Sequence, residues 1–183
     1  MLDINFNPFP ELRTDRLILR EMVTTDAADF FLIRSNKLIM ERLDKDPAQT
    51  IEDAKPLMLK IKKSIEENAG INWALCLKSD KKQIGIVGFH YIYKEHHRAE
   101  IGYALLPSFQ RQGIMRETIT AMLKFGFESL KFNSIEAKVN PSNSASINLL
   151  QGFGFEKEGY FKQSYYFKGK YSDTAIYSLL KDS

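Results

Sequence analysis

The residues best suited to chemistry stand together at positions 102–116. There Gly102-Tyr103-Ala104-Leu105-Leu106-Pro107 gives way to Ser108-Phe109-Gln110-Arg111-Gln112-Gly113-Ile114-Met115-Arg116. The first part reads as a strand that Pro107 stops, the second as a short polar loop with a glycine, and a long helix begins at once. A helix N-terminus carries unpaired N–H groups and a partial positive charge. A loop that turns further N–H groups the same way makes a cradle for phosphate. Gly113 lets the backbone approach an anion closely, and Arg111 and Arg116 add charge. Two widespread phosphate motifs are absent from the sequence: neither Gly-x-x-x-x-Gly-Lys-Ser/Thr nor Gly-x-Gly-x-x-Gly occurs. The segment therefore predicts a phosphate compound held in some other cradle.

Other reactive side chains point to less. His90, His96 and His97 are the three histidines. His96 and His97 share a turn in which neighbours point to opposite sides, and no third ligand is placed, so no metal is expected. The single cysteine, Cys76, excludes an internal disulfide. It sits in the apolar run Trp73-Ala74-Leu75-Cys76-Leu77, where core packing is its expected role. Net charge is +3 from 26 basic and 23 acidic residues. Lys60-Ile61-Lys62-Lys63 reads as the solvated face of a helix, and no nucleic-acid partner is expected. The first residues lack the basic start and apolar stretch of a signal peptide. No apolar run approaches the roughly 20 residues of a membrane helix. With one cysteine, these features predict a cytoplasmic protein without a membrane partner.

The elements that must position the 102–116 segment follow from periodicity. The 183 residues suit a single domain, 1–183. Residues 16–20 are a strand, and Thr24 or Thr25 caps a helix reaching about Arg34. A second helical region opens at Thr50 and ends near Gly70, with Pro56 implying a later start or a kink. Alternating residues 73–77, the β-branched and aromatic run 84–93, and residues 98–105 form three strands joined by polar turns, an antiparallel meander. Met115, Ile119, Met122, Leu123 and Leu130 mark the apolar face of a helix over 112–130. A strand at 134–139 and a helix from Asn143 to a C-capping Gly152 come next. Residues 160–180 form a hairpin turning near Lys168-Gly169. The fold class is an α/β (α+β) sandwich.

Gln110-Arg111-Gln112-Gly113-Ile114-Met115 resembles the Gln/Arg-x-x-Gly-x-Gly/Ala signature of the GNAT N-acetyltransferases, with Met115 replacing the usual small residue. Three other stretches resemble the Rim-type branch, the ribosomal-protein N-terminal acetyltransferases and their relatives. These are Thr14-Asp15-Arg16-Leu17-Ile18-Leu19-Arg20, then Ala99-Glu100-Ile101-Gly102-Tyr103. The third is Asn140-Pro141-Ser142-Asn143-Ser144-Ala145-Ser146, followed by Gly152-Phe153-Gly154-Phe155-Glu156 and Gly159. They occur in the family's order and run almost to the C-terminus.

The resemblance implies the GNAT fold: a mixed, mostly antiparallel sheet with helices on both faces. Its fourth and fifth strands, here ending at Leu105 and Val139, splay apart. It implies acetyl-coenzyme A (acetyl-CoA) as co-substrate. The pyrophosphate would be gripped by Gln110, Arg111, Gln112, Gly113, Ile114, Met115 and Arg116. The pantetheine arm would pair with free backbone groups at Leu105 and Leu106, and Asn143 would bond the arm or only cap its helix. Glu100 is the implied general base, acting through water; the alternative is a surface or salt-bridged carboxylate with Arg98 as its partner. Ser146 is the implied proton donor to the departing sulfur. The acceptor would be a primary amine, first of all a protein N-terminus. The alternatives are a small amine, such as a polyamine or an aminoglycoside-like sugar, and a non-catalytic acyl-CoA-binding module. Relatives are often monomers or homodimers. An α-amine titrates near 8 and a lysine near 10.4, so at pH 7 deprotonating the α-amine costs about 3.4 kcal/mol less.

Overall fold

The structure is a computed structural model that describes residues 1–181. Asp182 and Ser183, the end of the expected domain, lie outside the described residues. Strands β1 (Leu12–Arg13), β2 (Leu17–Arg20), β3 (Ile71–Leu77), β4 (Gln83–Tyr93), β5 (Arg98–Leu105), β6 (Ser134–Val139), β7 (Glu156–Phe167) and β8 (Lys170–Leu180) form one sheet in the order β1-β2-β3-β4-β5-β6-β8-β7. All neighbours are antiparallel except β5 and β6. The predicted meander is β3-β4-β5. The predicted hairpin is β7-β8, with β7 starting at Glu156 and a turn in which Lys168 and Gly169 both take positive φ, as the twist of a tight hairpin requires.

Helices cover both faces. Against one face pack α4 (Ile114–Lys124) and α5 (Ser144–Gln151), with Ile119, Met122 and Leu150 joining Trp73, Phe89 and Ile135 in the larger apolar cluster. Against the other pack α1 (Ala27–Ser35), α2 (Lys37–Arg42) and α3 (Ile51–Glu66). Phe30, Ile33, Ile39, Met40, Ala54 and Ile61 form a second cluster there, closed by Ile86 and Ala104 of the sheet. The alternation of β5 explains this division. Ala99, Ile101 and Leu105 enter the first cluster, while Ala104 turns to the second.

Several boundaries differ from the sequence reading. Neither Thr24 nor Thr25 caps a helix. Residues 24–26 make a 3₁₀ turn, and the Asp26 carboxylate accepts from Val23 N–H at 2.8 Å and binds Arg20 at 2.7 Å. α2 was not foreseen; its six residues are too few to show a period, and Asn36 caps it. α3 starts at Ile51 on a capping box made by Thr50 and Asp53, and it continues through Pro56. α4 starts at Ile114 rather than Gln112, and a π turn, Phe125–Ser129, completes it. Gly152 ends α5 in a right-handed conformation (φ −65°), and Gly154 takes the left-handed one (φ +87°).

Candidate active site

β5 and β6 are parallel and paired only from Arg98↔Ser134 to Glu100↔Glu136. Beyond Glu100 the strands separate, so the sheet opens as a fork. Leu106 N–H donates to Ile84 O at 3.0 Å. Antiparallel strands alternate inward and outward peptide groups, so those of Tyr103 and Leu105 point away from β4 into the fork. Leu106 turns the other way, and its amide is committed to Ile84. The sequence expectation that Leu106 offers a free backbone group is therefore corrected. The Leu105 carbonyl in turn accepts from Gln110 Nε2 at 2.9 Å, tying the loop to the fork.

Past the fork the chain makes a 3₁₀ turn, Pro107–Phe109, and then the loop. Arg111 (φ +60°) and Gly113 (φ +76°) both take left-handed conformations there. Such alternation turns successive N–H groups to one side, which makes an anion nest. The N–H groups of residues 111–116 donate to no acceptor among the described residues. Arg16 braces the loop from outside: its guanidinium donates to Gln112 O at 2.9 Å and to Glu117 at 2.7 Å. Glu117, in the first turn of α4, lies below the ordinary carboxylate range; burial acts against this, and bonds from Thr14 and Arg16 outweigh it. Arg116 lies over the Phe153 ring, 5.4 Å from its centre.

Loop, fork and helices enclose a cavity of about 450 Å³. Its walls are Tyr103, Ala104 and Leu105 of β5, Gln110, Arg111 and residues 113–116 of the loop, α5 with Asn143 and Ser146, and Ile39, Arg42 and Leu43 on the α2 side. Asn143 caps α5, accepting from Ser146 N–H at 3.2 Å, and also lines the cavity. The Ser146 hydroxyl is 2.7 Å from the Tyr103 hydroxyl, so a hydrogen-bonded pair spans the fork from β5 to α5. Burial pushes the Tyr103 pKa up, against the bond to Ser146, and the phenol keeps its proton. Tyr103 was not singled out from sequence as a site residue, because an aromatic residue on an inward strand position reads as core.

Glu100 stands where the fork begins. Its side chain is 13% exposed and accepts from Lys138 Nζ of β6 at 2.6 Å. Arg98 does not pair with Glu100 as expected; it faces Glu136 at 3.6 Å. His90, weighed in the sequence only as a metal ligand, lies on the α1–α3 face of the sheet. His90 is the extra residue of a bulge, since Phe89 pairs with Ile101 and Tyr91 with Glu100. Its ring rests on Gly102 so closely that a Cβ there would overlap Nε2 and Cδ2. Among the described residues no cluster of three or more His, Cys, Asp or Glu could hold a metal ion, and no helix is long and apolar enough to cross a membrane. Cys76 is buried, which pushes its thiol up to about 11 and leaves it unreactive near neutrality.

A fork in a mixed sheet, with a row of unpartnered amides beside it, is what the GNAT resemblance implies. The Acetyltransferase (GNAT) domain family matches residues 16–156. The chain belongs to the GNAT acetyltransferase family. Like the named N-acetyltransferases of that family, it is an acetyl-CoA-dependent enzyme. The chain is 37% identical to the uncharacterized N-acetyltransferase YoaA of Bacillus subtilis (strain 168), over 94% of this chain and 98% of that one. It is 27% identical to the [ribosomal protein uS5]-alanine N-acetyltransferase of Escherichia coli (strain K12), over 94% and 91%. That GNAT relative agrees with the Rim-type resemblance. The fold matches the crystal structure of a spermidine N-acetyltransferase from Vibrio cholerae in complex with CoA and spermine, with TM-score 0.81, 24% identity, and coverage of 92% of this chain and 98% of that one.

Proposed function

We propose that this enzyme acetylates the α-amine of a protein N-terminus, binding acetyl-CoA along the fork. The observation that carries the reading is the run of unpartnered N–H groups at 111–116 beside the peptide edge of Tyr103 and Leu105. The first suits a diphosphate and the second an extended amide chain. Gln110, Arg111, Gln112, Gly113, Ile114, Met115 and Arg116 hold the diphosphate, and Leu105 and Asn143 flank the arm. A peptide N–H in the fork polarises the thioester carbonyl in oxyanion-hole fashion. The neutral amine attacks that carbonyl carbon, a C–N bond forms and the C–S bond breaks. Ser146, bonded to the protonated Tyr103, donates to the departing sulfur. Glu100 stands on the acceptor side at the start of the fork, where the amine must lose its proton.

Charge balance favours an α-amine over a polyamine. Glu100 is compensated by Lys138 at 2.6 Å and Glu136 by Arg98 at 3.6 Å. A polycation needs uncompensated carboxylates, and desolvating it beside neutralised pairs is costly. An α-amine also demands less of the base. The test is thiol release with acetyl-CoA and a panel of peptides, polyamines and aminosugars. The reading predicts turnover on free peptide N-termini and little on polyamines. Preference for polyamines would overturn the acceptor assignment, and tight binding without turnover on any amine would overturn catalysis.

A further inference from the structure

Asn72, Gly88 and Gly102 lie on one cross-strand row, because Asn72 pairs with Gly88 and Gly88 with Gly102. The two glycines leave a trough in the α1–α3 face that neighbouring groups fill, the Asn72 amide over Gly88 and the His90 ring over Gly102. Asn72 closes one end. It is only 5% exposed, and its Oδ1 has no hydrogen-bond partner. The other end is covered by the imidazole of His90, which the bulge in β4 releases from the strand's alternation. The absence of a Cβ at Gly102 lets that ring lie over β5 two residues past Glu100, where the pairing of β5 with β6 ends. Ser146 and Tyr103 approach the fork from the helix α5 side.

We propose that His90 takes the proton the acceptor amine loses, with Glu100 acting as its charge partner. The assignment rests on the fork reading above and goes further in naming the base. As the amine nitrogen bonds to the thioester carbon, its proton passes to the free imidazole nitrogen. The C–S bond breaks and the sulfur takes the proton of Ser146; the imidazolium then gives its proton to solvent and solvent returns one to the Ser146 oxygen, so both groups regain their starting states. Glu100 spends Oε2 on Lys138, whereas His90 has a ring nitrogen above the trough. The charged group acting on His90 is Glu100 from β5, which Lys138 of β6 partly offsets. From β3 comes the uncharged Asn72, and the end of α3 brings Ser64 against the backbone beside it through Gly70. The atoms packed around the ring lower the imidazole below its ordinary 6.5, more than Glu100 raises it, while the residue keeps an exposed edge, so the ring is neutral at pH 7, able to accept a proton and to pass it to solvent.

The test is His90→Gln with Glu100→Gln beside it, read as kcat against pH on a peptide α-amine, with acetyl-CoA affinity measured separately by calorimetry. In the parent enzyme kcat falls as pH drops through the lowered imidazole value, below the ordinary 6.5. In His90→Gln that acid limb disappears and kcat is lower by about 100-fold, while acetyl-CoA affinity and melting temperature are unchanged. Gly102→Ala pushes the ring aside without altering its chemistry, and it should lose kcat in the same direction. Parent-like kcat and acid limb in His90→Gln, or loss of that limb in Glu100→Gln alone, overturns the assignment. Failure of the parent protein to bind acetyl-CoA would overturn the fork reading instead.

Discussion

The loop of residues 110–116 follows the end of β5, whereas the acceptor cleft proposed above, beside His90, lies on the α1–α3 face of that strand; the two are built from different materials. The loop works with backbone. Its φ values at Arg111 and Gly113 aim N–H groups, and its side chains mostly brace it. The cleft works with side chains drawn from separate segments: Asn72 from β3, His90 from β4, Glu100 from β5 and Lys138 from β6. A donor common to the whole family needs one fixed cradle, and backbone geometry leaves a local mark in sequence. An acceptor that differs among relatives is met by dispersed side chains, which leave none.

The largest expected effect separates the two regions directly. Gly113→Val forces a β-branched residue into a left-handed conformation, at a cost of about 1–3 kcal/mol. Acetyl-CoA affinity by calorimetry should fall roughly 10- to 100-fold, while kcat at saturating donor stays near the parent value. An equal loss in kcat would mean that loop and cleft are not separable. Next, Ser146→Ala and Tyr103→Phe should each lower kcat by about 10-fold, less than the ~10²–10⁴ usual for acid–base groups, because a thiol leaves readily. The double variant should be little worse than either single one, since the two hydroxyls act as a pair. Additive losses would show that they act apart.

The sequence made the loop, the fork strands and Asn143 readable, because turns, caps and alternation are local. It hid Tyr103, whose inward position resembles core, and α2, which is less than two turns long and supplies Ile39 and Arg42 to the cavity. It also hid His90. A bulge arises from the register of two strands, and no residue pattern along one strand reveals it. Glu100 was visible, but its partner was not. Arg98 is nearer in sequence, yet it points to Glu136, and Lys138 reaches Glu100 only because β6 runs parallel beside it.

Smaller effects sharpen the role of the brace. Arg16→Ala frees the Gln112 carbonyl and Glu117, and acetyl-CoA affinity should weaken about fivefold, as for one charge-assisted bond held near the surface. No change would show that the loop holds its shape unaided. Glu117→Gln should lower the melting temperature by roughly 2 °C at pH 7. The folded-state pKa of Glu117 is depressed, so its stabilisation is full above about pH 4.5 and is lost as pH falls through the lower folded value. The difference between parent and variant should therefore close on acidification, and a gap that persists at low pH would point to packing instead of charge.

The most direct measurement is an amide NMR titration with acetyl-CoA. The N–H signals of residues 111–116 and those of Tyr103 and Leu105 should shift together and saturate with one donor molecule per chain. If acetyl-CoA gives no shift, or shifts signals elsewhere while those amides stay fixed, the fork is not the donor site.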